Sequence, residues 1–329
     1  MQLKAALSVS AHRNRRLHGD GKSRYARTAP PGAVRRCPGR QDKSQLTSTG
    51  YPVIKDLPFP GDNPRRPGRP DPEPPPASLL GQNVLVELIT SEFMAEPAAG
   101  RVYSGRRIVR STDVTAGGRL RLDALARYLQ TVAEEDVADS GFDSPVVWLV
   151  RRCAVTIGTL PLMTDRITLR TFCSGTGPRW AQRTTTVAGR GGAVLQATAV
   201  WAAVSRETGR PVPLDDGFMS IYGASAQNRR VSVRLSHPRP AEPVGGRPWP
   251  LRAADFDTAG HVNNAITWAA VEDVLADRDG WLPRRAEVEY PRAILPGCEP
   301  VLATADDDGG LSMWLLDGDR PLSSARLTG

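Results

Sequence analysis

Hydrophobic and polar residues alternate in regular patterns from about residue 102 onward, and the chain before that point shows little periodicity. Leu122, Leu125 and Leu129 recur at helical spacing, which predicts an amphipathic helix over 122–138. Short apolar runs bounded by Gly and Pro are typical of strands. The first half is predicted to contain strands over 103–109, 146–157, 166–173, 179–188 and 193–204.

The same order of elements recurs later in the chain. A strand over 249–254 and a helix over 261–276 are followed by predicted strands at 284–290, 300–305, 311–316 and 322–327. Arg110, Asp113 and Gly118 coincide with Arg252, Asp255 and Gly260 at a constant offset of 142 residues. The repeated element order makes duplication the better explanation of these matches.

A sheet wrapped round one long helix buries that helix on most sides, and two such units joined edge to edge remove exposed sheet edges. The sequence therefore predicts an α+β protein of two tandem hotdog domains, each a long helix wrapped by an antiparallel β-sheet. The predicted boundaries are 101–225 for the N-terminal repeat and 245–329 for the C-terminal repeat.

Residues 1–93 differ from the rest in being rich in Pro and Arg, and we expect them to be disordered. A targeting peptide and a nucleic-acid tail are two functional explanations. The third is a start codon placed too far upstream, with Met94 as the true first residue, and the abrupt onset of pattern favours it.

The net charge of +8 suggests nucleic-acid binding, but its distribution argues against that function. Residues 1–93 hold 15 Lys and Arg against 8 Asp and Glu, and the remainder holds 28 against 27. No apolar run approaches the roughly 20 residues of a membrane span. We expect a soluble, cytoplasmic protein that binds neither nucleic acid nor membrane.

Several catalytic motifs are missing from the sequence: it has no Gly-x-Ser-x-Gly elbow, no His-Glu-x-x-His and no Gly-rich phosphate loop, and we expect no metal site. Two histidines follow residue 93. His237 precedes a proline in a Pro-rich connection and is expected to be a loop residue. His261 lies between Asp257 and Asn263, and this cluster is the candidate site.

The cluster lies at a predicted strand-to-helix turn, where Gly260 permits a tight approach of the backbone. Asp257 could act as general base for water or attack directly, with His261 and Asn263 as orienting groups. Free amides at the helix start, those of Gly260 and Val262, could hold an oxyanion. Alternatively, the Asp and Asn side chains only cap the helix and tie up loop amides.

The first repeat lacks this chemistry. At the offset of 142, Thr115 corresponds to Asp257 and Arg119 corresponds to His261. We therefore expect one chemical site per pair of repeats, with the first repeat contributing to the lining of that site.

The segment Asp257-Thr258-Ala259-Gly260-His261-Val262-Asn263-Asn264 resembles the signature of the acyl-ACP thioesterases of plastids and bacteria. The first half is similar at Arg110-x-x-Asp113, Gly118–Asp123, Trp148 with Arg151-Arg152, and Gly177-x-Arg179-Trp180. The resemblance covers residues 101–329. It implies tandem hotdog domains, acyl carrier protein as partner, and release of free fatty acid without a cofactor. Asn264 and Trp148 become candidate substrate-binding residues.

Two positions depart from the plant pattern. Ala259 stands where that pattern has Asn, and the stretch after Glu289-Tyr290, which includes Ala293, holds no catalytic Glu or Cys. Hydrolysis of acyl-CoA, acyl binding without catalysis, and hydration or dehydration of 3-hydroxyacyl thioesters therefore stay open beside acyl-ACP hydrolysis. A homodimer also stays open.

Three further sets of residues have more than one interpretation. Trp148 and Trp268 are expected to be core aromatics, with acyl-chain contact as the alternative. Glu272, three helical turns beyond His261, is expected to be a structural partner near the seam between repeats, with a second acid as the alternative. Arginines of the first half are candidate contacts for an acidic carrier, or ordinary solvated side chains: Arg119, Arg121, Arg127, Arg151, Arg152, Arg179 and Arg183.

Overall fold

The structure, a computed structural model, describes residues 92–189, 194–240, 245–278, 280–307 and 310–329. Its three α-helices are Leu122–Ser140 (α1), Asp216–Ala226 (α2) and Ala265–Ala276 (α3). Its ten strands are Val102–Ile108 (β1), Val146–Thr159 (β2), Arg166–Thr176 (β3), Trp180–Gly189 (β4), Val194–Ser205 (β5), Gly246–Pro248 (β6), Arg285–Glu289 (β7), Val301–Asp307 (β8), Gly310–Asp317 (β9) and Arg320–Thr328 (β10). The predicted α+β class is confirmed. The prediction of disorder falls almost entirely on residues outside the described ranges.

All ten strands belong to one antiparallel sheet, in the order β1-β3-β4-β5-β2-β7-β10-β9-β8-β6. Counted from its own outer edge, the first half runs β1-β3-β4-β5-β2, and the second half runs β6-β8-β9-β10-β7. Adding five to each strand number of the first half gives the strand order of the second half, so the two halves have the same topology. The halves join where β2 pairs with β7, from Arg152 opposite Glu289 to Thr156 opposite Arg285.

The core lies between the sheet and the two long helices, which pack against each other. In β7 the alternation of side chains is plain: Ala286 and Val288 are fully buried toward the core, while Arg285 and Glu287 point to the other face. Trp268 on α3 is 1% exposed, as expected for a core aromatic. Within the described ranges, no helix is long and apolar enough to span a membrane.

Two predicted elements of the second half are wrong. No strand spans 249–254: the short edge strand β6 ends at Pro248, Pro250 offers no amide hydrogen to continue the ladder, and a 3₁₀ turn follows at Ala253–Asp255. The second helix was predicted to start at His261 and starts at Ala265. The four residues between belong to a tight loop described below.

Helix α2 was not predicted, although its sequence carries a start signal. The Asp215 carboxylate accepts a hydrogen bond from the Phe218 amide at 2.7 Å, which caps the helix. Phe218 and Tyr222 lie one turn apart and are both buried against the sheet. A short amphipathic run in a Pro-rich connection gives too few turns for its periodicity to stand out.

A largely buried ion pair beside the long helices links the two halves. Arg119 donates two hydrogen bonds to Glu272 on α3, at 2.9 and 2.8 Å, and the Leu122 amide donates to the same carboxylate at 2.6 Å. The Glu272 side chain therefore caps the start of α1 from the neighbouring helix. The expectation that Glu272 is a structural partner at the seam is confirmed.

We expect Glu272→Ala to lower the free energy of unfolding by about 2 kcal/mol, measured by urea denaturation. The substitution leaves Arg119 and the Leu122 amide without their shared acceptor. Loss of a partner from a fully buried ion pair would lower the stability further, but the Arg119 side chain is partly exposed. The control is Asp306→Asn, which breaks an exposed pair with Arg278 and should leave stability unchanged. Equal stability of both variants would contradict the proposed capping role.

Candidate active site

The predicted site residues occupy a tight hairpin loop before α3. The Asp257 amide donates to the His261 carbonyl at 2.8 Å, and the Gly260 amide donates to the Asp257 carbonyl at 3.0 Å. Gly260 has a φ of 75°, a left-handed conformation that favours glycine. Phe256 and Val262 pair as an isolated bridge across the loop base. These backbone contacts fix the positions of the Cα atoms from which the Asp257 and His261 side chains project.

Asp255 anchors the loop at its base. Its carboxylate, 3% exposed, accepts hydrogen bonds from the Arg252 guanidinium and, at 2.8 Å, from the Arg252 amide. Its carbonyl accepts from the Asn263 amide at 2.8 Å. Asp255 is fully engaged in holding the loop closed, which leaves Asp257 as the acid of the pair that can face a ligand.

Asn263 bridges the loop and both long helices. Its Oδ1 accepts from the Ala265 amide at 2.9 Å, which caps the first turn of α3. Its Nδ2 lies 3.4 Å from Oε1 of Gln130 on α1. The capping role weighed for the Asn side chains is therefore present, and Asn263 also reaches the first half of the chain.

Asp257 and His261 line a cavity of about 180 Å³. One oxygen of the Asp257 carboxylate accepts from the Ala259 amide at 2.9 Å, which orients the side chain, and the His261 residue is 8% exposed. Other lining residues used below are Gln130, Trp148, Trp201, Asn264, Arg292 and Ala293. The structure thus brings together every predicted catalytic and substrate-binding side chain around one space.

Asn264 is held by a buried tyrosine. The Tyr290 hydroxyl donates to the Asn264 carbonyl at 3.1 Å. Burial raises the pKa of Tyr290 well above its usual value, so the hydroxyl keeps its proton and remains a donor. This contact fixes the backbone at the first turn of α3 beside the cavity.

A second, mostly apolar cavity of about 320 Å³ adjoins the first. Gln130, Trp148 and Trp201 line both cavities. One wall is aromatic and extends from Trp148 at the junction, with the Trp148 and Phe218 rings 5.2 Å apart and the Phe218 and Tyr222 rings 5.0 Å apart. Trp148 lines both cavities, whereas Trp268 belongs to the core, as expected; substrate contact by Trp148 stays a prediction.

The predicted oxyanion donors are wrong in detail. The Gly260 amide donates to Asp257 within the turn, and the Val262 amide donates to the Ile294 carbonyl at 2.9 Å. Both amide hydrogens are used in holding the loop. The helix begins at Ala265, three residues beyond Val262, so neither amide belongs to its first turn. Neither can face a ligand in this arrangement.

The first half contains the same loop with different side chains. The hydrogen bonds from the Thr115 amide to the Arg119 carbonyl, at 2.8 Å, and from the Gly118 amide to the Thr115 carbonyl, at 2.9 Å, reproduce those of Asp257 and Gly260. The Leu120 amide donates to the Pro161 carbonyl as Val262 does to Ile294. The donors, and the acceptors within the loops, are offset by 142 residues, so the alignment drawn from sequence holds in three dimensions.

The cross-half contacts also correspond. Gln130 of α1 and Glu272 of α3 are offset by 142, and each reaches the loop of the other half. At the first loop, however, the Glu272 carboxylate binds Arg119 and the Leu122 amide. The first loop is thus filled by an ion pair, while the second borders a cavity.

A group of side chains able to hold a metal lies elsewhere. Donor atoms of His237, Glu287 and Glu289 lie within 4.8 Å of one another on the outer face of the sheet. His237 is in a loop, as expected, and its Nδ1 lies 2.9 Å from the Ser324 hydroxyl. Burial lowers the pKa of His237, although Glu289 and Glu287 oppose this shift. The cluster fastens the connection between the halves to β7 and β10.

Most arginines proposed as carrier contacts are engaged within the protein. Arg119, Arg121, Arg127 and Arg183 each lie in an ion pair with a buried carboxylate, and Arg151 donates to the Tyr290 carbonyl. They act mainly in holding the fold. Arg292, which sequence reasoning did not single out, is exposed at the rim of the Asp257 cavity.

Sequence reasoning also missed Gln130 and Trp201. Both lie in regular elements whose periodicity shows only that they face inward. The sole available signal for Gln130 was its offset of 142 from Glu272, which becomes informative once the repeat is aligned.

Comparison with known proteins identifies the family of this chain. The model of the acyl-ACP thioesterase N-terminal domain matches residues 100–222. An uncharacterized protein of Mycobacterium tuberculosis is 30% identical over 238 residues, which cover 71% of this chain and 95% of that protein. The chain belongs to the acyl-ACP thioesterase family.

Solved structures support the family's fold for this chain. The 12:0-ACP thioesterase from Umbellularia californica is 18% identical, with a TM-score of 0.60 over 70% of this chain and 97% of that one. An acyl-ACP thioesterase from Bacteroides thetaiotaomicron is 18% identical, with a TM-score of 0.56 over 69% and 97%. At this identity the likeness concerns the fold, which is of the hotdog type.

We expect Gly260→Ala and Gly118→Ala to destabilise the protein equally, by about 1 kcal/mol each, because both glycines have left-handed φ in equivalent loops. An added Cβ meets no atom within 4 Å at either position, so backbone strain is the only cost. Urea denaturation of the two variants measures this. A clear difference between them would contradict the equivalence of the loops.

Proposed function

We propose that this protein hydrolyses fatty acyl thioesters carried by acyl carrier protein, and that its two halves are tandem hotdog domains sharing one site. The observation that carries the proposal is the Asp257–His261 loop, whose cavity adjoins an apolar cavity in the other half. Membership of the acyl-ACP thioesterase family supports it.

In the proposed reaction, Asp257 acts as general base. It takes a proton from water as the water oxygen attacks the thioester carbonyl carbon, and the C–S bond breaks as the intermediate collapses. The carrier's sulfur leaves as a thiol after taking up a proton, and the free fatty acid remains. His261 and Asn263 orient the carboxylate and the substrate.

The Asn264 amide is the proposed oxyanion donor. In the first loop the equivalent amide, that of Leu122, binds a carboxylate oxygen of Glu272 at 2.6 Å. In the first half, where no catalysis is expected, a carboxylate oxygen thus occupies the position of the acceptor of this amide. In the second loop the residue equivalent to Glu272 is the neutral Gln130, so the place is left for the oxygen of a thioester.

The apolar cavity is the proposed acyl site. Trp148 and Trp201 lie where it meets the reaction cavity, and α1 forms one wall from Gln130 to Val137. Seven residues of helix correspond to a length of about 10 Å. A chain entering past Gln130 would bury its methylene groups against the aromatic wall, at about 0.8 kcal/mol each.

The acidic carrier would approach from the rim. Exposed Arg292 borders the Asp257 cavity and offers a cation at its mouth. The carrier's identity rests on the family, and comparison of acyl-ACP with acyl-CoA turnover tests it directly.

We expect Asp257→Asn to reduce kcat by roughly 100-fold or more in thiol-release assays on C8–C18 acyl-ACP, because the amide cannot accept a proton from water. The matched control is Thr115→Ala, which alters the equivalent position of the first loop and should leave turnover unchanged. Full activity of the Asp257 variant would mean that the site is elsewhere.

We expect Ala133→Phe to shift chain-length preference toward shorter substrates. Ala133 lines the apolar cavity, and the larger ring would fill space that a long chain needs. KM for the longest accepted chain should rise about 10-fold, with little change for C8. Ala138→Phe, on the exposed side of the same helix, is the control. An unchanged profile would place the acyl chain elsewhere.

Binding without catalysis is the second candidate, because Ala259 and Ala293 place methyl groups beside the site where the plant pattern has polar groups. This function predicts saturable binding of an acyl thioether with no thiol release from any thioester. Turnover by the wild-type protein would exclude it.

A further inference from the structure

Gln130 connects the two halves at the proposed reaction site, and the inference drawn from it rests on the proposed thioesterase function. It lies on α1, in the first half, yet lines the cavity of the second-half loop and the apolar cavity beside it. Its Oε1 faces Asn263 Nδ2 at 3.4 Å, and its Nε2 faces a Glu134 carboxylate oxygen at 3.2 Å.

The direction of this chain of hydrogen bonds is fixed at both ends. At one end the Ala265 amide can only donate, so Asn263 must present Oδ1 to it and Nδ2 to Gln130. At the other end Gln130 Nε2 donates to a Glu134 carboxylate oxygen, which leaves Oε1 of Gln130 to accept from Asn263. The two constraints agree, and Gln130 therefore supports the orientation that the Ala265 amide imposes on the Asn263 side chain.

The equivalent residue of the other half indicates what a charge would do at this position. Glu272 reaches the first loop from α3, and its carboxylate takes the Leu122 amide hydrogen at 2.6 Å together with Arg119. A carboxylate at position 130 would have the corresponding amide, that of Asn264, within its reach. A neutral amide there is a weaker acceptor and is already committed to Asn263.

We propose that Gln130 is a positioning residue of the thioester site, which orients Asn263 across the seam and, by carrying no charge, leaves the Asn264 amide open to the substrate carbonyl. The first half thus contributes to the chemistry of the second half as well as to the acyl cavity. The role needs both the amide oxygen and the absence of charge.

The test compares three full-length variants in thiol-release assays on acyl-ACP, with kcat and KM measured separately. Gln130→Glu keeps the shape and adds a charge, Gln130→Met keeps the length and removes the polar atoms, and Thr131→Glu adds the same charge at an exposed neighbouring position. We expect Gln130→Glu to lower kcat at least 100-fold, Gln130→Met to lower it about 10-fold with KM unchanged, and Thr131→Glu to match the wild type.

A double-mutant cycle between Gln130→Met and Asn263→Ala provides the second readout, which a merely structural role would not produce. If Gln130 acts through Asn263, the Met substitution costs little more once Asn263 is absent. Additive losses would overturn the assignment, as would a Gln130→Glu variant that equals Thr131→Glu in kcat. If the Gln130→Glu variant does not fold, the double-mutant cycle alone tests the proposed role of Gln130.

The outcomes also separate this proposal from the function beneath it. A wild-type protein without turnover on any thioester would reject the thioesterase function, and this role with it. A wild-type protein that turns over and is sensitive to Asp257→Asn, but indifferent at position 130, would reject only the role of Gln130.

Discussion

The antiparallel pairing of β2 with β7 is the interaction on which the rest of the molecule depends. Each half alone would end in an open strand edge, and the pairing satisfies both edges at once. It also places the two long helices on one face of a continuous sheet, where they pack together. Every cross-half contact follows from that placement, including Gln130 beside the second loop and Glu272 beside the first.

Most of the fold could be predicted because its signals are local and repeated. Helix α1 and nine of the ten strands were predicted from apolar patterns, and the offset of 142 residues relates the hydrogen bonds within the two loops. The errors fall where local signals conflict. Pro250 interrupts an otherwise strand-like run, and α2 is too short for its period to be distinguished from a Pro-rich connection.

The candidate site could be predicted only as far as contiguous sequence carries it. Asp257, His261 and Asn263 share one short segment, so their type and spacing were sufficient to find them. The prediction that the Gly260 and Val262 amides bind an oxyanion was wrong because it depended on the first residue of α3. Helix boundaries are the least certain part of any sequence pattern. Gln130 and Trp201 come from distant segments, and only the sheet order brings them to the loop.

The filled first loop has a consequence for how such a protein can change over generations. In a symmetric homodimer every substitution is inherited by both sites, so neither can lose a function that the other keeps. A single chain with two corresponding halves is free of that restriction, because a substitution falls in one half only. Arg119 and Glu272 form an ion pair at the first loop, whereas His261 and Gln130 line a cavity at the second. Equivalent positions of the two halves thus differ in a way that two copies of one chain cannot.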